Sequence, residues 1–311
     1  MTMSLADLTD PRATRLDTPP WYTPGFLVRR AQRIHTAKWN ELFGTEVTGP
    51  QYAVLLAIAL WPDSDQQTVG ELSGHDKATI TGIVERLVRA GLVARESDPA
   101  NHRRVILSLT PAAERRMPTY AGLGMRVHDA LFSLLPAGTA GEFVSLLREV
   151  VLSRRSLPEP DRPDPGFPVM TPRTSIGHLL RRTHQIHVEL WSEVFDDTLT
   201  IPQYCVLVTG LALDSPSQQT VADLSGLNPS SAAAVIARLE EQGWLVRTED
   251  PSDGRRRVLG FTHAARVAAR WCRHGADAVQ ADLFGALGSE RTERLAELLD
   301  ALVSRHEAEH R

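Results

Sequence analysis

The chain has 311 residues, 42% of them hydrophobic and 23% charged, with a formal net charge of −4. That is enough length and apolar material for two ordinary domains. The mild net acidity excludes a basic coat that would hold nucleic acid everywhere, while a local basic patch stays open. No run of about 18 apolar residues offers a bilayer span, and the first 22 residues carry acids and prolines where a secretion signal needs a basic end and an apolar block. A cytoplasmic protein without membrane contact is therefore expected. Cys205 and Cys272 have no metal-type spacing and read as small buried hydrophobes, with redox sensing as the weaker alternative.

In chain order, Phe26 to Leu42 is free of helix breakers and reads as a long first helix. Pro50 opens a second helix that stops at Trp61-Pro62. Thr68 to Leu72 reads as a brief helix entered by a threonine cap, Ser73-Gly74-His75 as a tight turn, and Asp76 as the cap of a helix from Lys77 to Arg89. Helix, short glycine-containing turn, helix is the helix-turn-helix signature. Gly91 ends that helix, and the β-prone runs Leu92 to Arg95 and Val105 to Leu109 form a hairpin around Asp98 to His102. Thr110-Pro111 starts another helix. Phe143, Leu146, Leu147, Val150 and Val151 then line one face of a last one.

The remainder repeats this pattern without gaps at an offset of 152 residues. Pro50-Gln51-Tyr52 returns as Pro202-Gln203-Tyr204, Leu72-Ser73-Gly74 as Leu224-Ser225-Gly226, Arg86-Leu87 as Arg238-Leu239, and Arg103-Arg104 as Arg255-Arg256. Duplication of a whole domain explains the period better than a solenoid. The expected organisation is a tail over 1–23, a first domain over 24–156, a linker over 157–172 and a second domain over 173–311. Six prolines between Leu157 and Pro172 block helix, and as extended chain those 16 residues could span up to roughly 50 Å.

These residues together resemble the MarR (multiple antibiotic resistance regulator) family across nearly all of both copies. The strongest stretches run from Asp76-Lys77-Ala78-Thr79-Ile80 through Arg86-Leu87 to Gly91-Leu92-Val93, and the wing ending Leu107-Ser108-Leu109-Thr110. The resemblance implies a mainly α fold with small β-hairpin wings: two winged helix-turn-helix domains forming an intramolecular pseudo-dimer, with further pairing of chains compatible with it. It also implies the family's Asp-x-Arg tie in the second hairpin, Asp253-Gly254-Arg255, from which Asn101-His102-Arg103 departs.

By that resemblance the partner is a double-stranded DNA operator and the protein a transcriptional regulator, in the first instance a repressor. The residues expected at DNA are Lys77, Thr79, Thr81 and Arg86 on the first recognition helix, Arg103 and Arg104 on its wing, Ser230, Ser231 and Arg238 on the second helix, and Arg255, Arg256 and Arg257 on the second wing. The alanine-rich start of the second helix predicts weak base discrimination there and an asymmetric, pseudo-palindromic operator. The plainer reading of the wings is a solvated hairpin with an internal Asp–Arg pair.

The family also implies a small aromatic or anionic effector. Candidate contacts are Arg30, His35 and Trp39, with Arg182, His187 and Trp191 at the offset; the plainer reading makes both tryptophans core. No enzyme, cofactor or metal is expected. The best metal candidate, His178, His184 and His187 on one helix, lacks a Glu-x-x-His or cysteine pair to complete it. The alternative function is a MarR-derived ligand-binding or interaction protein with degenerate DNA recognition.

Overall fold

A computed structural model describes residues 22–310 apart from 45, 99, 100, 197, 214, 251 and 252, and excludes the side chains of 102, 103, 250 and 253–257. The tail expected over 1–23 therefore lies almost wholly outside the described residues. The first repeat forms α1 (Pro24–Phe43), α2 (Gly49–Leu60), α3 (Gln66–Ser73), α4 (Lys77–Arg89), β1 (Val93–Asp98), β2 (Asn101–Leu109), α5 (Pro111–Phe132) and α6 (Ala140–Leu152). The second forms α7 (Ile176–Phe195), α8 (Ile201–Leu211), α9 (Gln218–Leu224), α10 (Pro229–Glu241), β3 (Leu245–Asp250), β4 (Asp253–Phe261), α11 (His263–Phe284), a 3₁₀ turn (Gly285–Leu287) and α12 (Gly288–Glu309).

Local chemistry sets the boundaries, and it does so twice. Thr48 and Thr200 make reciprocal capping boxes with Gln51 and Gln203, and a proline follows within the first helical turn of α2 and of α8. Thr110 and Thr262 cap α5 and α11 through the amides of Ala113 and Ala265, and their hydroxyls also donate to the carbonyls of Gly91 and Gly243. Each wing is thereby fastened to the helix that follows it. Gly91 and Gly243 leave the recognition helices at φ 69° and 71°, a left-handed turn that a Cβ would penalise.

Two expected boundaries shift. Helix α3 starts earlier than the threonine cap suggested: Asp65 is its N-cap, accepting from the Thr68 amide at 2.8 Å. The first hairpin is also longer, running to Asp98 and back from Asn101, because pairing carries polar residues that β propensity alone leaves out.

The residues separate into two compact units, each containing one helix-turn-helix and one wing. The first-wing unit holds residues 31–184 and 297–311, and the second-wing unit holds 185–296 with the segment ending at residue 30. Each unit thus takes chain from both repeats. In the first-wing unit Val69, Ile80, Ile83, Val84, Leu87, Val93 and Leu107 are buried, and α3 is joined to the wing by an Asp65–Ile106 bridge and by the Leu107 N–H, which donates a hydrogen bond to the Ser64 carbonyl. The second-wing unit centres on Val206, Val221, Ile236, Leu239, Leu245 and Leu259, with a Ser217–Val258 bridge in the equivalent place.

The proline-rich segment packs instead of spanning free. Leu157 is buried, the Glu159 carbonyl accepts from the Trp61 indole, the Arg162 amide donates to the Leu60 carbonyl, and Arg173 donates to the Leu157 carbonyl, all within the first-wing unit. Proline removes donors but leaves every carbonyl available, and three bonds of this segment use what remains.

Candidate nucleic-acid interface and neighbouring pockets

Helix α4 turns Ile80, Ile83, Val84 and Leu87 inward, which leaves Lys77, Thr79 and Arg86 exposed along its outer side. Its first turn is tightly fixed. Asp76 accepts from the Thr79 amide and hydroxyl, each at 2.8 Å, and these bonds hold its carboxyl below the usual range. Thr81 is further tied down, donating to the Lys77 carbonyl and accepting from Gln66, while Gln66 also accepts from Arg95 of β1. Thr81 therefore braces the helix against the wing, and the free cationic reach of the helix belongs to Lys77 and Arg86, which lie about 180° apart on the two flanks of its exposed side.

Arg104 has a structural occupation that its place in a basic run concealed. Its guanidinium meets Asp65 at 3.2 Å and Asp98 at 3.0 Å, which joins the N-cap of α3 to the hairpin. The Thr68 amide first, and Arg104 after it, hold the Asp65 carboxyl below its ordinary value. The first wing thus has an Asp–Arg tie although it lacks the Asp-x-Arg spacing. Arg103 lies in β2 and Arg255, Arg256 and Arg257 lie in β4, but the side chains of all four are outside the described residues.

In the second repeat, Asn228 caps α10 through the Ser231 amide at 2.7 Å. Ser230, Ser231 and Arg238 are exposed. Arg247, the offset partner of Arg95, pairs with Glu240 at 3.1 Å, so the brace seen around Thr81 is not repeated.

Sequence reading missed a pair of arginine fastenings. Arg181 and Arg182 donate to the carbonyls of Ser73 and Glu71 in the last turn of α3. At the offset, Arg29 donates to the carbonyl of Ser225 at the end of α9, and the Arg30 side chain lies beside Gly226. A helix C-terminus leaves carbonyls without partners and carries partial negative charge, so guanidinium groups suit it. The repeated Arg-Arg pair at residues 29–30 and 181–182 was the available signal.

The expected grouping of Arg30 with His35 and of Arg182 with His187 is not formed. Five residues of helix turn a side chain about 140° away, whereas four turn it about 40°. His35 and Trp39 line a cavity whose cation is Arg181, and His187 and Trp191 line another whose cation is Arg273. Both tryptophans are also core: each is about 95% buried, and their indoles donate to the carbonyls of Val47 and Leu199.

The two cavities differ in size. The one in the first-wing unit is about 50 Å³, walled in part by Met170 and Pro172 of the linker; that is room for water but not for an aromatic ring. The one in the second-wing unit is about 340 Å³, within the range of small-molecule sites. Phe26, Trp191, Ile201 and Val208 give it apolar walls, and Tyr204, His187, Gln280, Asp277 and Arg273 give it polar ones, with Arg273 paired to the Asp277 carboxylate at 3.7 Å. Gln280 accepts from the Gly25 amide at 2.9 Å and contacts His187 Nε2 at 3.2 Å. Cys205 also lines it, with burial pushing its thiol pKa up, which keeps the thiol protonated and poorly reactive.

Two family models, each described as MarR family, match residues 45–104 and 199–256, the segments that build the two helix-turn-helix and wing units. The transcriptional regulator HosA of Escherichia coli O111:H- is 32% identical over 124 residues, 40% of this chain and 91% of that protein. The chain belongs to the MarR family. It carries two MarR domains, and its folded parts are winged helix-turn-helices with small antiparallel hairpins. A further relative, the HTH-type transcriptional repressor NicR of Pseudomonas putida, is 29% identical over 147 residues, 46% of this chain and 93% of that protein. Among solved structures, the PcaV transcriptional regulator of Streptomyces coelicolor is 38% identical, covering 42% of this chain and 96% of that chain with a TM-score of 0.37. The relatives' names are those of regulators of transcription, not of enzymes. Among the described residues, no helix of this MarR-family chain is long and apolar enough to cross a membrane.

Proposed function

We propose that this protein is a cytoplasmic single-chain pseudo-dimer that represses transcription by binding a pseudo-palindromic operator. The observation carrying the proposal is α4, an exposed helix with a locked first turn whose outer side presents Lys77 and Arg86. A rigid helix offering cations beside a braced wing is what groove entry and phosphate contact require. The alanines of α10 support a weaker second half-site.

A mobility-shift titration against the protein's own upstream intergenic DNA, over a salt series and with stoichiometry fixed by light scattering, tests this. One chain per site is expected. Lys77→Ala with Arg86→Ala should lower the slope of log K against log salt by about 1.8, since each phosphate contact contributes about 0.9. Binding no better than to random DNA would favour the degenerate, non-DNA-binding reading instead.

The second-wing cavity is the proposed effector site, and its occupants are small aromatic acids, with apolar walls for the ring and Arg273 for the carboxylate. Calorimetric titration with benzoate and 1-naphthoate should find one site per chain, because the first-wing cavity cannot admit a ring. Arg273→Ala should weaken binding by about tenfold, in keeping with a hydrogen bond to a charged group. Two equivalent sites per chain would refute the assignment.

A further inference from the structure

At the C-terminal end of α12, within the first-wing unit, His306, Glu309 and His310 bring one ligating atom each to within 4.8 Å of one another. We propose that this cluster is a binding site for a borderline divalent transition-metal ion of the Zn²⁺, Ni²⁺ or Co²⁺ type.

Helix geometry makes the grouping. Positions 306 and 310 are about 40° apart around the axis and 309 falls about 60° to the other side of 306, so the three side chains share one arc. The two imidazoles already touch, with centroids 4.1 Å apart. Zinc-type ligands sit about 2.0–2.2 Å from the ion, so modest side-chain rotations close the set from its present spread.

Two further observations point to a metal. His310 Nδ1 lies 2.7 Å from the His306 carbonyl oxygen, a bond that only an Nδ1–H donor can make. That tautomer leaves the Nε2 lone pair outward, and a backbone carbonyl holding the second ring nitrogen is the usual support of a metal-binding histidine. On His306, Nδ1 is buried without a hydrogen-bond partner, so its ring has no competing bond on that side.

The donor set selects the ion. Two imidazoles and one carboxylate suit Zn²⁺, Ni²⁺, Co²⁺ and Cu²⁺, whereas Mg²⁺ and Ca²⁺ take oxygen. The segment His306-Glu307-Ala308-Glu309-His310 has the His-Glu-x-x-His spacing that places two zinc ligands on one helix face. Here the third ligand comes from the same turn of helix, and coordination positions are left for water. The assignment is one of binding; no reaction is attached to it. Its consequence is local: Arg305, the residue before the cluster, donates to the carbonyl of Leu135 in the turn that joins α5 to α6, so a bound ion would stiffen a helix end already tied to that turn.

The test uses the full chain, stripped with a chelator and titrated with Ni²⁺ and Zn²⁺ against a chromophoric competitor. One ion per chain is expected. His310→Ala and Glu309→Gln are both at exposed positions and should leave the fold intact; the first should weaken binding by tenfold or more and the second by several-fold. His306→Ala with His310→Ala should abolish the site, while His263→Ala, an exposed histidine elsewhere, should change nothing. Co²⁺ should give visible absorption bands that disappear in the double variant. Absence of a stoichiometric ion in the parent chain, or an unaltered site in the double variant, would overturn the assignment.

Discussion

Between pH 7.5 and pH 5 the first-wing unit should lose several kcal/mol of stability, while the core of the second-wing unit should change much less. His35 and His75 are pulled from the ordinary 6.5 to about 3, by burial first and then by Arg181, with His128 adding to His35 and Arg182 to His75; Asp76 opposes the shift at His75. His178 is held well below its ordinary value by burial, Arg181, Arg182 and His75. Arg181, buried beside Arg182, is itself lowered only to about 10 and stays charged. Unfolded imidazoles take a proton near pH 6.5 and these folded ones do not, so the unfolded state binds more protons throughout this window. Stability is therefore complete above 6.5 and falls as pH drops below it, by up to about 1.4 kcal/mol per pH unit for each imidazole. At the positions equivalent to His75 and His178 the second-wing unit has Leu227 and Phe26, which do not titrate, so of these three histidines just His35 has a counterpart there, His187. Hydrogen exchange resolved by peptide at pH 7.5, 6 and 5 should show α3 and the start of α7 losing protection ahead of α9 and α10. Equal loss in both units, or none, would contradict the reading.

Trp39→Ala should destabilise the chain by about 3–5 kcal/mol, the usual cost of emptying a large buried aromatic site. The indole stacks on Phe43 at 3.8 Å, tilts against Tyr52 at 5.1 Å and donates to the Val47 carbonyl at 2.9 Å. Its removal leaves a void, an unpaired carbonyl and a loosened connection between α1 and α2. Trp271 is 63% exposed and supplies the control, for which Trp271→Ala should stay within about 0.5 kcal/mol. Urea unfolding of both variants decides the matter, and similar midpoints would mean that Trp39 carries no special packing role.

Much of this architecture was legible because the duplication printed each signal twice. The caps at Thr110 and Thr262, the glycines closing the recognition helices and the proline openings of α2 and α8 are all local chemistry, and the helices begin and end where that chemistry says. Residues whose roles depend on distant partners were not legible. Arg104 looks like one more cation in a basic run until folding brings Asp65 and Asp98 to it. Arg30 and His35 look like neighbours until helix rotation separates them. The spacing of His306 and His310 is a local signal too, but the three histidines of α7 form the denser run in the sequence. The difference between the two cavities could not be read at all, because it depends on linker residues folding back onto one of them.

The arginine fastenings bear on how such a gene can change. Residues 29–30 serve the helix-turn-helix encoded some 200 positions downstream, at 225–226, and residues 181–182 serve the one encoded upstream, at 71–73. A gene cut at the linker would give two polypeptides, each carrying the other's clasps and lacking its own. After the duplication, neither copy could drift without regard to its sibling, since an altered carbonyl turn in one half has to be answered by a codon in the other. Heredity thus treats the two halves as a single locus of selection, even where their recognition surfaces have diverged.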